Sequence, residues 1–240
     1  MDFFMTKISI LCPTKGRASL CNRMVTSVFN TVSNKSNVEI LLGVVEPYHA
    51  IKHVTQHKVP EWSTAMTWNY LASKAEGDLL MLGADDTIFA TPGWDEALLD
   101  HYGKLENKIH VYHLQDSRDI EGTPHPIVTR EYYNAIGYFV PPIFFHWYVD
   151  SWTREIAKYN SIFTHLKEFE LVHDKPSDLG KPDATHTGIR SQGWHDRDKF
   201  VHENCQHFLQ QEQKRLWKIM NIDIHNKRIA EIASQMGEFA

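Results

Sequence analysis

Apolar positions in the first ninety residues form short runs that alternate with stretches of helical periodicity. Lys7 to Cys12 (Ile8, Ser9, Ile10, Leu11) reads as a first strand, stopped by Pro13. Leu20, Met24, Val25, Val28, Phe29 and Val32 then recur at helical spacing, and the polar segment Asn34 to Asn37 closes that pattern. Val38 to Val45 is apolar and β-rich, a second strand ending at Glu46-Pro47. Strand, helix, strand at this spacing predicts a right-handed parallel unit. Ile51 to Thr55 reads as a short strand, and Ser63 as the cap of a helix running through Asn69 to Ala75, with Gly77 as its stop. Leu79-Leu80-Met81-Leu82, bounded by Gly77 and Gly83, fits a strand covered on both faces.

Beyond Asp86 the pattern changes. Pro92-Gly93-Trp94 opens a short helix through Leu98, Leu99 and Tyr102, and Ile109 to Leu114 reads as a strand. Val128-Thr129-Arg130 leads into a helix ending near Gly137, and a second helix spans roughly Trp147 to Tyr159. Phe169 to His173 looks like a strand, followed by a Pro/Gly/Asp-rich loop to about Gly193. From Asp196 the chain reads as helical to near its end. The expectation is an α/β domain with a mostly parallel central sheet flanked by helices and a helical C-terminal extension.

Composition narrows the function classes. A formal net charge of -5 over 240 residues argues against a strongly basic nucleic-acid surface. Cys12, Cys21 and Cys205 are too few and too irregular for a disulfide framework or a cysteine-rich zinc site, so a reducing cytoplasm is the expected location. No secretion signal is read at the N-terminus, and Pro141-Pro142 and His146 break the richest apolar stretch, so no membrane span is expected. Fifteen scattered histidines carry little information singly.

The chemistry lies in Gly83-Ala84-Asp85-Asp86. Two adjacent carboxylates at the end of a buried strand repel each other and lose hydration unless a cation compensates them, and in open sheets ligands bind outside the carboxyl ends of the strands. A divalent ion bound to an anionic ligand meets that need. The competing account makes Asp85 and Asp86 a turn that caps the helix near Pro92-Gly93-Trp94.

Four segments, in this order, resemble the type-A fold glycosyltransferases, especially their family 2-like group. Ile8 to Arg17 looks like the first strand and its nucleotide-holding Pro-Thr turn; Asn69 through Gly77-Asp78 looks like the family's helix and its entry into the acidic strand. Ala84-Asp85-Asp86 stands where the family has an Asp-x-Asp metal motif, and His125 to Arg130, Gly137 to Phe139 and His146 to Asp150 look like the acceptor side with its catalytic acid. The match covers roughly Lys7 to Arg190. It implies one type-A domain over residues 1–195, with a nucleotide-sugar-binding half to about residue 90 and an acceptor half from about 91, and C-terminal helices over 196–240 packed on the same domain. The implied reaction moves a sugar from a nucleoside-diphosphate sugar to an acceptor hydroxyl with Mn²⁺ or Mg²⁺ as cofactor.

By that resemblance Asp86, Asp85 and His173 hold the metal, with His186 as second choice for the histidine. Pro13, Thr14, Arg17, Glu46, Asn69, Asp85 and Arg190 line the nucleotide sugar, and Asp150 is the catalytic base of an inverting reaction. Lys15 reads as a surface cation. Counted from Gly77-Asp78, the motif's first acid falls on Ala84, which leaves open which of Asp85 and Asp86 meets the metal and which the ribose. Glu46 stands where the family commonly has a base-reading aspartate, although Glu46-Pro47 equally suits a turn. Two alternatives stay in view: a catalytically inactive sugar- or nucleotide-binding module of this fold, and a sugar-phosphate nucleotidylyltransferase. The latter would want more glycine than Pro13-Thr14-Lys15-Gly16-Arg17 offers. Small phage-encoded relatives glycosylate hydroxymethylated bases in DNA, so such DNA is a minority expectation for the acceptor. Lys214, Arg215, Lys218, Lys227 and Arg228 are the candidate phosphate contacts, read more readily as a solvated helix face.

Overall fold

The structure, a computed structural model, describes residues 6–117, 124–174, 187–188 and 191–237, with side chains described as far as residue 222. Eight strands form one sheet in the order β3-β2-β1-β4-β7-β6-β8-β5. The first half is parallel: β1 (Ile8–Thr14) lies between β2 (Val38–Val44) and β4 (Leu79–Leu82), and β3 (Thr55–Lys58) adds to β2. The second half is mixed. β7 (Ile127–Thr129) runs antiparallel between β4 and β6 (Val111–Asp116), β8 (Phe163–His173) is parallel to β6, and β5 (Thr87–Phe89) closes the edge antiparallel to β8.

Side chains alternate across the strands, so each face takes its own layer of helices. Ile8, Ile10, Cys12, Leu79 and Met81 pack with α1 (Ala18–Thr31) and α3 (Trp94–Lys104). Leu11, Leu80 and Leu82 face α2 (Thr64–Lys74), α4 (Arg130–Ile136) and α5 (Val149–Tyr159). Behind that second layer lie α6 (Trp194–Asn204) and the long α7 (Gln206–Gly237), which seats Leu209 and Leu216 in the same core. The Glu212 carboxylate fixes α7 there by accepting from Tyr138 Oη at 2.5 Å and Trp152 Nε1 at 2.7 Å. No described helix is long and apolar enough to cross a membrane.

Several expected elements moved. The short strand expected at Ile51 to Thr55 lies at Thr55–Lys58, because register with Leu41 to Val44 of β2, and no apolar run, selects it. Phe169 to His173 is the end of an eleven-residue strand with a register shift opposite Leu114/Gln115. The helix expected from Trp147 begins at Val149, since Tyr148 is held in the left-handed region (φ 66) at its cap. The continuous C-terminal helix is two, and the first starts at Trp194. β5 and β7 have three residues each, too few to show a period, and were not expected.

Gly77 admits β4 to its place beside β1. A Cβ there would lie 2.4 Å from Ser9 Oγ and 2.8 Å from both Lys7 O and Ser9 N, and backbone atoms cannot step aside. Gly77→Ala is therefore expected to destabilise the fold by about 1–3 kcal/mol, seen as a lower urea midpoint at unchanged slope.

Candidate active site

The carboxyl ends of β1, β4, β6 and β8 and the start of antiparallel β7 meet at one edge of the sheet, which gathers residues far apart in sequence. Pro13 and Thr14 end β1, and the chain leaves β4 through Gly83-Ala84-Asp85-Asp86 into β5. Asp85 and Asp86 are both buried, and neither caps α3, whose N-cap is Gly93.

The two acids have different partners. Asp85 accepts from Thr14 Oγ1 at 2.6 Å and from Arg17 Nη1 at 2.8 Å. Because Thr14 donates to Asp85, the Tyr48 hydroxyl 3.2 Å from Thr14 Oγ1 must donate to it, and the same hydroxyl accepts the Arg17 backbone N–H at 3.2 Å. Burial pushes the Asp85 carboxyl up to about 6 against the pull of Arg17 and with the push of Asp86. Burial also works to raise Asp86, but the hydrogen bond and charge of His173, then the charge of Arg17, outweigh it and hold Asp86 below the usual carboxylate range. Its oxygens stand 3.4 Å from His173 Nε2 and 3.5 Å from Arg17 Nη1.

The sheet register explains the His173 contact. Thr87, next after Asp86, pairs with His173 across β5 and β8, and Asp86 O accepts the Asp174 N–H at 2.8 Å. The other ring nitrogen of His173, Nδ1, lies 3.5 Å from Asp116 Oδ2 at the end of β6. His125, just before β7, completes the group: ligand atoms of Asp116, His125 and His173 all lie within 4.8 Å of one another. The donor set of imidazole and carboxylate suits a divalent ion. Asp116 and His125 were missed from sequence, where a lone aspartate after a strand and one histidine among fifteen carry no signal.

The remaining expected residues are placed as follows. Glu46 is exposed and pairs with Lys58 at 3.3 Å. The Asn69 amide joins α2 to the loop after α4, donating to Ala65 O and Val140 O and accepting from the N–H groups of Phe139 and Val140. Lys15 is an exposed cation 2.6 Å from Glu61. Asp150 sits in the first turn of α5, where it accepts the Ser151 N–H at 2.8 Å and the helix dipole favours its charge. Arg190 and His186 lie outside the described residues, as do the side chains of Lys227 and Arg228.

A buried tryptophan ties the acid-bearing edge to the segment before Asp150. Trp68 Nε1 lies 3.1 Å from both Leu11 O, within β1, and Gly83 O, just after β4, and its ring stacks on His146. That segment is clamped from beneath by Asp198 of α6, fully buried, which accepts the consecutive N–H groups of Phe145, His146 and Trp147 and is paired with Arg197 at 2.8 Å. Asp198 too was not expected from sequence, where it is one acid on a polar helix.

No protein-family model matches the chain, and no curated protein matches its sequence. Solved structures do. The mannosyltransferase PcManGT from Pyrobaculum calidifontis, in complex with GDP-Man and Mn²⁺, superposes with a TM-score of 0.54 at 12% identity, over 71% of this chain and 57% of that one. S. aureus TarS gives 0.55 at 12% identity over 72% and 38%, and its 1–349 form in complex with UDP gives 0.54 at 11% over 72% and 62%. The chain has the type-A glycosyltransferase fold. It spans from about two fifths to three fifths of the length of these type-A structures.

The Asp198 clamp yields a test. Asp198→Asn replaces one acceptor oxygen by a donor facing N–H groups and removes the charge, so a loss of about 1–3 kcal/mol or more is expected. Hydrogen exchange should then quicken at the Phe145, His146 and Trp147 amides while β1 and β4 stay protected.

Proposed function

We propose that the chain is a metal-dependent glycosyltransferase that moves a sugar from a nucleoside-diphosphate sugar to an acceptor hydroxyl. The observation that carries this reading is the convergence, at the carboxyl edge of a type-A sheet, of Asp85 and Asp86 with Thr14, Arg17 and His173. The mannosyltransferase with GDP-Man and Mn²⁺ and TarS with UDP support a nucleotide-sugar donor.

The residues have separable tasks. The turn Pro13-Thr14 and Arg17 receive the nucleotide and its diphosphate, with Tyr48 setting the Thr14 hydroxyl. Asp85, held by Thr14 and Arg17, is the acid better disposed to orient the donor's ribose, and Asp86 with His173 faces the ion. Asp116, His125 and His173, with Asp86 against the His173 ring, are the residues that would hold a divalent cation, Mn²⁺ or Mg²⁺, which when bound supplies Lewis-acid neutralisation of the departing diphosphate. Asp150 takes the proton of the acceptor hydroxyl. The stack of Trp68 on His146, with Trp147 edge-on to His146, keeps the segment leading to Asp150 against the donor edge and screens it from water. A hydroxymethylated base in DNA is the more specific acceptor to test, although Arg215 gives its guanidinium to Ile136 O and is less free for phosphate.

The test pairs donor binding with turnover. Addition of Mn²⁺ and a panel of nucleotide sugars to the full chain should raise its unfolding temperature for one donor class and release the nucleoside diphosphate. Asp86→Asn should lower turnover by about 10²–10³-fold. Asp150→Asn should lower kcat by about 10²–10⁴-fold with donor affinity kept. Donor binding without transfer to any hydroxyl acceptor, hydroxymethylated duplex included, would favour a binding module, and the absence of any donor effect would overturn the reading.

A further inference from the structure

The sheet brings together a second group of donors beside the acid pair, and its central member carries the argument. His125 is buried, and its Nδ1 lies 3.1 Å from Leu82 O. A carbonyl can only accept, so Nδ1 carries the proton and Nε2 holds the lone pair. That Nε2 is buried with no hydrogen-bond partner among the described residues. A lone pair withdrawn from water and left unused costs stability, and the backbone at His125 adds strain, with φ 68 at a non-glycine position.

A bound cation accounts for the tautomer, the unused lone pair and the strain together. A ring N–H fixed on a backbone carbonyl, which leaves the lone pair of the other nitrogen for a cation, is the arrangement by which proteins orient a ligating histidine. Asp116 and His173 supply that carboxylate and imidazole within 4.8 Å. His173 shows the same pattern: with Nδ1 on the Asp116 side, its Nε2 stands 3.4 Å from Asp86, which becomes the outer partner of the ring.

We propose that Asp116, His125 and His173 form a preformed site that takes one divalent first-row transition ion before any sugar donor arrives, and that this site disfavours Mg²⁺. Two imidazoles and one carboxylate give the ion three protein ligands and leave positions open for oxygens of water or diphosphate. Imidazole nitrogen suits first-row transition ions, whereas Mg²⁺ demands near-octahedral oxygen and keeps its waters. The inference deepens the proposed function and rests on it only in placing the ion beside a sugar donor.

The experiment uses the full chain with no nucleotide present. Titration with Co²⁺ should give a ligand-field absorption that saturates at one equivalent, and Mn²⁺ should displace Co²⁺ at concentrations where Mg²⁺ does not. His125→Asn keeps a side-chain donor for Leu82 O, tolerates positive φ and removes Nε2. Its Co²⁺ affinity should fall by at least about 10–100-fold, the range seen for loss of a mere outer-shell partner, while the metal-free variant still unfolds in one cooperative transition. A measurement on the unaltered chain guards against a variant that fails to fold: Zn²⁺ should shift the imidazole ¹⁵N resonances of two histidines, and these should be His125 and His173. Absence of Co²⁺ binding without nucleotide, equal binding of Mg²⁺, full affinity in His125→Asn or shifts at other histidines would each overturn the proposal. Metal binding with no response to any sugar donor would instead leave this site standing and remove the glycosyltransferase reading.

Discussion

Two carboxylates on neighbouring residues cannot both be buried as anions without opposite charge at close range, and the edge of this sheet is built around that requirement. Arg17 lies 2.8 Å from Asp85 and 3.5 Å from Asp86, so one guanidinium serves both. The remaining compensation is divided: Thr14, set by Tyr48, completes Asp85, and His173 completes Asp86. At close range in a poorly solvated site, removal of one partner costs more than the pair contributes, because the survivor stays buried and unpaired. The acid turn and the strands that bring its partners are therefore energetically one unit.

This division gives the two acids different chemistry. Asp85 is embedded in hydrogen bonds from β1 and the turn after it, which fixes its direction. Asp86 faces the mixed half of the sheet, where Asp116, His125 and His173 converge. Ala84, standing where the resemblance would put a first acid, has no part in this, and the charge lost there is matched by acid and imidazole from β6, β8 and the residues before β7. An ion held on that side would sit between the parallel half, which carries Thr14 and Arg17, and the mixed half, which carries Asp116 and His173.

The loop before α5 is joined to the parallel half by polar contacts inside an apolar layer. The Trp68 indole N–H is shared between carbonyls of β1 and the turn after β4 while its face supports His146, and Asp198 fixes the three amides around that histidine. Each contact joins segments about fifteen to eighty residues apart, so an error in the placing of α6 or α2 would be transmitted to Asp150.

The chain's own pattern determined the parallel half. Continuous apolar runs in β1, β2 and β4 and the helical periods of α1 and α2 are local signals, and so is the position of Asp85 and Asp86 at the end of an apolar run. Local order also singled out Thr14, Arg17 and His173 through their resemblance to a known arrangement, and the structure sets them beside the acid pair. What only the tertiary structure decided was partnership. β5 and β7 are too short to carry a period, β3 is selected by pairing with β2, and the roles of Asp116, His125, Tyr48 and Asp198 come from contacts across the sheet and between layers. A strand's periodicity tells which face a side chain takes, whereas the partner waiting on that face is set by strand order and register, which depend on the packing of the whole chain.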